Sequence, residues 1–330
     1  MKMINYKTGE ISMISCTEFV PLYSDFFTYL DKIGGHAEVE KYWAYVSEHR
    51  LGDKNNPQSL VSYLEREEIP FFGAGKYWGQ TLKEEQTDKE GTGSAEMRFS
   101  YSHMRRCPSK GKLLDVSHII TPYYDYCGHC PAIFKPVLAR YGITYEMDLT
   151  DCDKAQCYSL YYETGHRPDD SLLVINDETR NSEMRREDNE YYHPGFHISC
   201  DIALRYCGLL FGKEGVEEFL RGHVRGYYKR RIEDAKERGV DAILDWLTEY
   251  YRIERASERL HTELEGGTLK VKVDSDPVLD FMRKMNHTPS AYHRDRTETV
   301  LATVCEDAGL TFTMDYYDEL GGTSYTICRK

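Results

Sequence analysis

Cys127-Gly128-His129-Cys130 is the stretch of this chain whose residue types are best suited to chemistry. Thiols beside an imidazole supply a nucleophile or metal ligand next to a group that moves protons near neutral pH. The apolar residues Ile133, Phe134, Val137, Leu138 and Tyr141 follow at helical spacing. Backbone N–H groups at a helix N-terminus favour an anion, so a Cys there is expected to lose its proton more easily. Asp148, Asp151, Cys152 and Cys157 come next, on a predicted strand pair. With Cys107, five of the ten cysteines fall within 51 residues, and the rest are scattered.

Three chemistries fit these thiols. Cys127, Cys130, Cys152 and Cys157 give C-x2-C and then C-x4-C with 21 residues between the pairs, a spacing able to close a four-thiolate site for zinc, iron or another soft metal. Redox exchange is the second reading, because C-G-H-C before a helix resembles the active site of protein disulfide isomerase. That fold needs a hydrophobic strand before the motif, and Pro122–Tyr126 is a poor strand. The third is a Cys nucleophile with His129 or a carboxylate as its partner. Against all three stands a buried, inert role, since thiols also pack as small hydrophobes.

The elements that position these groups occur twice. Residues 121–163 align without a gap on residues 288–330, at an offset of 167. Identities include Thr121/Thr288, Pro122/Pro289, Gly142/Gly309, Met147/Met314, Asp148/Asp315, Asp151/Asp318 and Tyr158/Tyr325. Upstream, Met97–Tyr101 with Cys107-Pro108 matches Leu269–Val273 with Asp276-Pro277, Ser59–Leu64 matches Ala242–Leu247, and Ile14-Ser15-Cys16 recurs as Ile198-Ser199-Cys200. The chain thus reads as two copies, 1–165 and 190–330, joined by a polar stretch, 166–189, in which Leu172–Ile175 is a possible extra strand. Each copy runs as helices, a strand, one or two helices and a strand pair, an α+β pattern with a small antiparallel sheet. Two such copies are expected to pack with pseudo-twofold symmetry. The second lacks the Cys cluster and places Arg294, Asp295, Arg296 and Glu298 around the position of the first Cys pair.

In the second copy, Val216, Phe219, Leu220, His223, Val224 and Tyr227 form one helical stripe, and Ile243, Trp246, Leu247 and Tyr250 another. Gly309 suits a helix C-terminus, and Gly321-Gly322 a turn between two strands.

Lys plus Arg is 42 and Asp plus Glu is 55, a net charge of −13 that argues against nucleic acid or an anionic membrane as partner. No apolar run reaches the roughly 18 residues of a membrane span, and Met1–Ser15 has no apolar core of a signal peptide. A cytoplasmic, reducing location with free thiols is expected. Gly73-Ala74-Gly75-Lys76 lacks P-loop spacing and there is no Rossmann fingerprint, so no nucleotide cofactor is implied. His193, His197 and Cys200 form a lesser His/Cys cluster, and Tyr227-Tyr228-Lys229-Arg230-Arg231 reads as a helix face.

The chain resembles the L-2-amino-thiazoline-4-carboxylic acid hydrolase family, as two tandem copies of a domain that typical members carry once. Cys107-Pro108, Pro122 with Cys127 and Cys130, and Gln156-Cys157-Tyr158 follow the family's order of motifs. The second copy follows it through Asp276-Pro277, Pro289, Asp295 and Gly321-Gly322, with Ser324 at the late Cys. Where the family usually has Asp three residues after the turn Cys, the first copy has Cys130. The resemblance implies a hydrolase of a small cyclic C–N substrate, opened by adding water at a C=N carbon. It implies that Cys127 or Cys130 attacks or holds a metal, that His129 moves the proton and that Asp148 and Asp151 orient it or protonate. Arg294 or Arg296 would clamp a substrate carboxylate, in a site facing the first copy's thiols. The alternatives are a non-enzymatic metal- or small-ligand-binding protein on the same scaffold, or a thiol–disulfide redox protein.

Overall fold

The computed structural model describes residues 18–56, 59–66, 88–94, 98–174 and 195–329. Ile14-Ser15-Cys16, Gly73–Lys76 and His193 lie outside the described residues. By packing, the chain divides into two units. One is drawn from 27–114 and 122–193, the other from 1–26, 115–121 and 194–330. The units therefore differ from the sequence repeats in two places: among the described residues, 18–26 and 115–121 pack with the second half.

The first unit holds most of the thiols. Helix α1 (Phe19–Gly34) crosses the division at Phe26/Phe27, and α2 (His36–Val46) and α3 (Leu60–Arg66) follow. Then come β1 (Asp88–Ser94), β2 (Phe99–Arg106), α4 (Pro108–Asp115), α5 (His129–Ala139), β3 (Ile143–Asp148) and β4 (Cys157–Glu163). The four strands form an antiparallel sheet in the order β1-β2-β4-β3. The α5 stripe of Ile133, Phe134, Val137 and Leu138 is buried, and α5 packs on β3. That apolar face fixes the helix on the sheet and aims its first turn, with His129 and Cys130, at the start of β4.

The second unit repeats the order. Helix α6 (Gly195–Tyr227) is bent at Gly212, whose φ of 68° only glycine adopts freely. It is followed by α7 (Lys229–Arg238), α8 (Val240–Ile253), β5 (Leu260–Glu265), β6 (Thr268–Val273), α9 (Pro277–Lys284), α10 (His293–Asp307), β7 (Leu310–Tyr317) and β8 (Thr323–Arg329). Its antiparallel sheet has the order β5-β6-β8-β7, the same arrangement as in the first unit. Strand β6 alternates as expected, with Leu269, Val271 and Val273 buried and Lys270 and Lys272 exposed. Both predicted helical stripes are buried throughout. The protein is thus mixed α and β with two small antiparallel sheets, and no helix among the described residues is long and apolar enough to cross a membrane.

Two expectations change. Three strands per copy are expected from the sequence, and each sheet has a fourth at its edge. In the second sheet, Gly266 and Gly267, both at positive φ, form the hairpin turn that joins β5 to β6. Leu260–Glu265 is mostly exposed, so it carries no apolar alternation to announce it. Leu172–Ile175 is not a strand where it is described: Leu172 ends a 3-10 turn capped by the Asp169 carboxylate, and Leu173 and Val174 are irregular.

Candidate functional site

Five of the nine described cysteines, all free thiols, meet at one end of the first sheet. Cys107 stands between β2 and α4, where its N–H donates to the Ala155 carbonyl (2.6 Å) and its sulfur accepts from the Lys110 N–H (3.5 Å). Cys127 lies in the 3-10 turn Tyr126–Gly128 and Cys130 in the first turn of α5. Cys152 opens the 3-10 turn between β3 and β4, and Cys157 is the first residue of β4. The Cys127 and Cys152 thiols are hydrogen-bonded, and Cys127 also feels Cys107. Cys130 feels Cys107, Cys127 and Cys157.

Burial, reinforced by these neighbouring thiols, pushes Cys127 up to about 12 and Cys130 well above the ordinary thiol range. The expected acidification by the helix N-terminus is outweighed: taking the charged form out of water dominates. These are protonated thiols at neutral pH. Among the described residues, no group of three or more His, Cys, Asp or Glu side chains is arranged to hold a metal ion.

His129 places an imidazole against the cluster. Its Nδ1 meets the Tyr126 carbonyl, so that nitrogen carries the hydrogen and donates it. The lone pair is then on Nε2, 3.5 Å from the Cys130 sulfur. Ring contacts with Phe27 (5.9 Å) and Tyr126 (4.8 Å) fix the imidazole. Burial lowers its pKa to about 4; the Tyr126 carbonyl opposes that and Arg50 adds to it. A thiol, a neutral imidazole facing it and a carbonyl that sets the tautomer are the three parts of a nucleophile–base arrangement.

The two carboxylates expected to assist are engaged in the β3–β4 connection. Asp148 accepts from the Thr150 N–H (2.9 Å) and hydroxyl (2.6 Å), and Asp151 pairs with Lys154 at 2.7 Å.

Arg294 and Arg296 belong to the other unit. Arg294 is exposed, pairs with Glu298 at 3.4 Å and lies over the Tyr317 ring. Arg296 points inward and is only 5 % exposed. Its Nη1 is 4.0 Å from the Cys200 sulfur, and it lines a cavity of about 30 Å³ with Tyr250, Asp276, Thr297 and Tyr325. The Asp276 carboxylate accepts from His293 (2.8 Å) and from the Val278 N–H (2.7 Å). Burial alone would raise its pKa, but His293 and Arg296 hold it well below the usual carboxylate range.

By element order and sequence position, Asp276, Arg296 and Ser324 of the second unit correspond to residues of the thiol cluster in the first. Asp276 precedes α9 as Cys107 precedes α4, Arg296 sits in the first turn of α10 where His129 opens α5, and Ser324 begins β8 near the position of Cys157. The repeat alignment carried that signal. What it could not carry is Tyr228 and Arg231, buried at the α6–α7 junction, which the charge run made look solvated. Of the lesser His/Cys cluster, His197 bonds Glu254 (2.9 Å) while Cys200 meets Arg296, so the two take different partners.

No protein-family model, curated protein or solved structure matches the chain.

Proposed function

We propose that the chain is a hydrolase of a small cyclic C–N compound of the thiazoline-carboxylate class, with Cys130 as nucleophile and His129 as its base. The observation that carries this reading is the 3.5 Å contact between His129 Nε2 and the Cys130 sulfur, with Nδ1 held by the Tyr126 carbonyl. A protonated thiol attacks poorly on its own, so the base must take the proton as the bond forms. Cys130 sulfur adds to the C=N carbon of the ring, its proton passes to Nε2, and His129 returns it to the ring nitrogen. The ring C–S bond then breaks, and water releases the product from Cys130. The substrate class rests on the resemblance of Cys107-Pro108, the Cys127–Cys130 turn and Gln156-Cys157-Tyr158 to the thiazoline-carboxylate hydrolases. Two tandem copies of one domain are part of the same reading, supported by the equal strand orders of the two sheets. Rapid quenching of the protein with 2-amino-thiazoline-4-carboxylate, followed by peptide mass mapping, tests the step: a substrate-derived adduct belongs on Cys130, and an adduct on another residue overturns the assignment.

A second reading, soft-metal binding by Cys127, Cys130, Cys152 and Cys157, is favoured by the Cys127–Cys152 thiol contact and the approach of Cys130 to Cys157. A metal would displace the thiol protons and draw these sulfurs closer. Stoichiometric zinc or iron in anaerobically purified protein, lost in Cys152→Ser, would favour it over the nucleophile.

A further inference from the structure

We infer that the Arg296 cavity is a binding site for a small carboxylate, formed wholly within the second unit and independent of the thiol cluster. Its occupant is a compact monocarboxylate or the carboxylate end of a larger molecule.

A guanidinium presents five N–H donors. Arg296 is 5 % exposed, yet its hydrogen-bond contact among the described residues is a thiol at 4.0 Å, a weak acceptor. No carboxylate lies within ion-pair distance of it among the described residues. Burying a cation this way is costly unless its donors are met. Asp276, the nearby carboxylate, accepts one hydrogen bond on each oxygen, from His293 and from the Val278 N–H. The Arg296 side chain lines the cavity together with Asp276, Thr297 and Tyr250.

The cavity volume of about 30 Å³ selects the ligand. A water needs roughly 10–15 Å³ on this measure, so there is room for a group of two or three heavy atoms. A carboxylate fits the guanidinium edge with two parallel hydrogen bonds. A planar neutral amide of the same size cannot offer two acceptors, which gives the test its control.

Thermal unfolding of the full chain is followed with increasing sodium acetate, at ionic strength held constant with chloride, and in parallel with acetamide. Acetate is expected to raise the unfolding temperature saturably, and acetamide is expected to leave it unchanged. Arg296→Lys should weaken acetate binding at least about tenfold. Because that variant touches a buried charge, Thr297→Leu is the second arm: it fills the half-buried mouth, leaves the guanidinium in place, and should abolish the acetate effect. Equal effects of acetate and acetamide, or an acetate effect that survives Thr297→Leu, would overturn the assignment. A cysteine-cluster variant, Cys130→Ala, should bind acetate as the parent does, which keeps this result separate from the fate of the hydrolase reading.

Discussion

His129 Nε2 faces the Cys130 sulfur at 3.5 Å, while Nδ1 donates to the Tyr126 carbonyl three residues earlier. One turn of chain therefore brings together a thiol, a neutral imidazole and the carbonyl that sets its tautomer. The 3-10 turn at Tyr126–Gly128 makes this possible by leading the Tyr126 carbonyl under the imidazole as α5 begins.

The first consequence is a pH signature. His129 titrates near 6.5 when unfolded and at about 4 when folded. Between those values the unfolded chain binds a proton that the folded one does not, so stability rises with pH through this window and this contribution is level outside it. Urea unfolding at pH 4.5, 5.5 and 6.5 checks it. His129→Gln should flatten the slope, and an unchanged slope would contradict the burial of a neutral imidazole.

Thiol reactivity follows from the same physics. Cys127, held at about 12, is almost wholly protonated at pH 7.5. Iodoacetamide should label it at least about tenfold more slowly than free cysteine, since the thiolate is the reactive form. Mass mapping of a labelling time course reads this directly. Labelling of Cys127 faster than free cysteine would show that the helix N-terminus wins over burial.

Asp201 anchors the turn that leads into α10. Its carboxylate accepts from His287 (2.8 Å) and from the Ser290 N–H (2.9 Å), and it pairs with Arg205 (3.2 Å) while only 2 % exposed. Asp201→Ala leaves the buried His287 and the part-buried Ser290 N–H without their acceptor, so a loss of about 2–4 kcal/mol is expected from urea unfolding. A loss under about 1 kcal/mol would mean that the turn holds itself.

Much of this architecture was legible because its signals are periodic. The Val216–Tyr227 and Ile243–Tyr250 stripes, the β6 alternation and Gly309 after α10 all report burial on one face, which spacing encodes. The edge strand β5 was missed because an exposed strand needs no apolar pattern. The Cys cluster was legible as composition and repeat position. Which cysteine faces the imidazole was not, because it depends on the backbone turn at Tyr126. Arg296 differs from Arg294 only by two positions in a helix, 200° of rotation, and that alone sends one into the core and leaves the other on the surface.

Gly321 tests the shape of the second cavity. Its φ is 75°, and a Cβ there would lie 2.4 Å from the Asp276 Cβ. Gly321→Ala combines backbone strain with a clash against a fixed side chain, for an expected loss of about 2 kcal/mol or more by thermal unfolding. Parent-like stability would show that the Asp276 turn yields easily.

Ring opening of 2-amino-thiazoline-4-carboxylate, followed as thiol release by protein freed of metal with a chelator, tests the central claim most directly. The folded parent is expected to turn over, Cys130→Ala to lose at least about 10³-fold with its fold intact, and His129→Gln to lose about 10²–10⁴-fold. Ring opening that persists in Cys130→Ala, or no ring opening by the folded parent, would contradict the account.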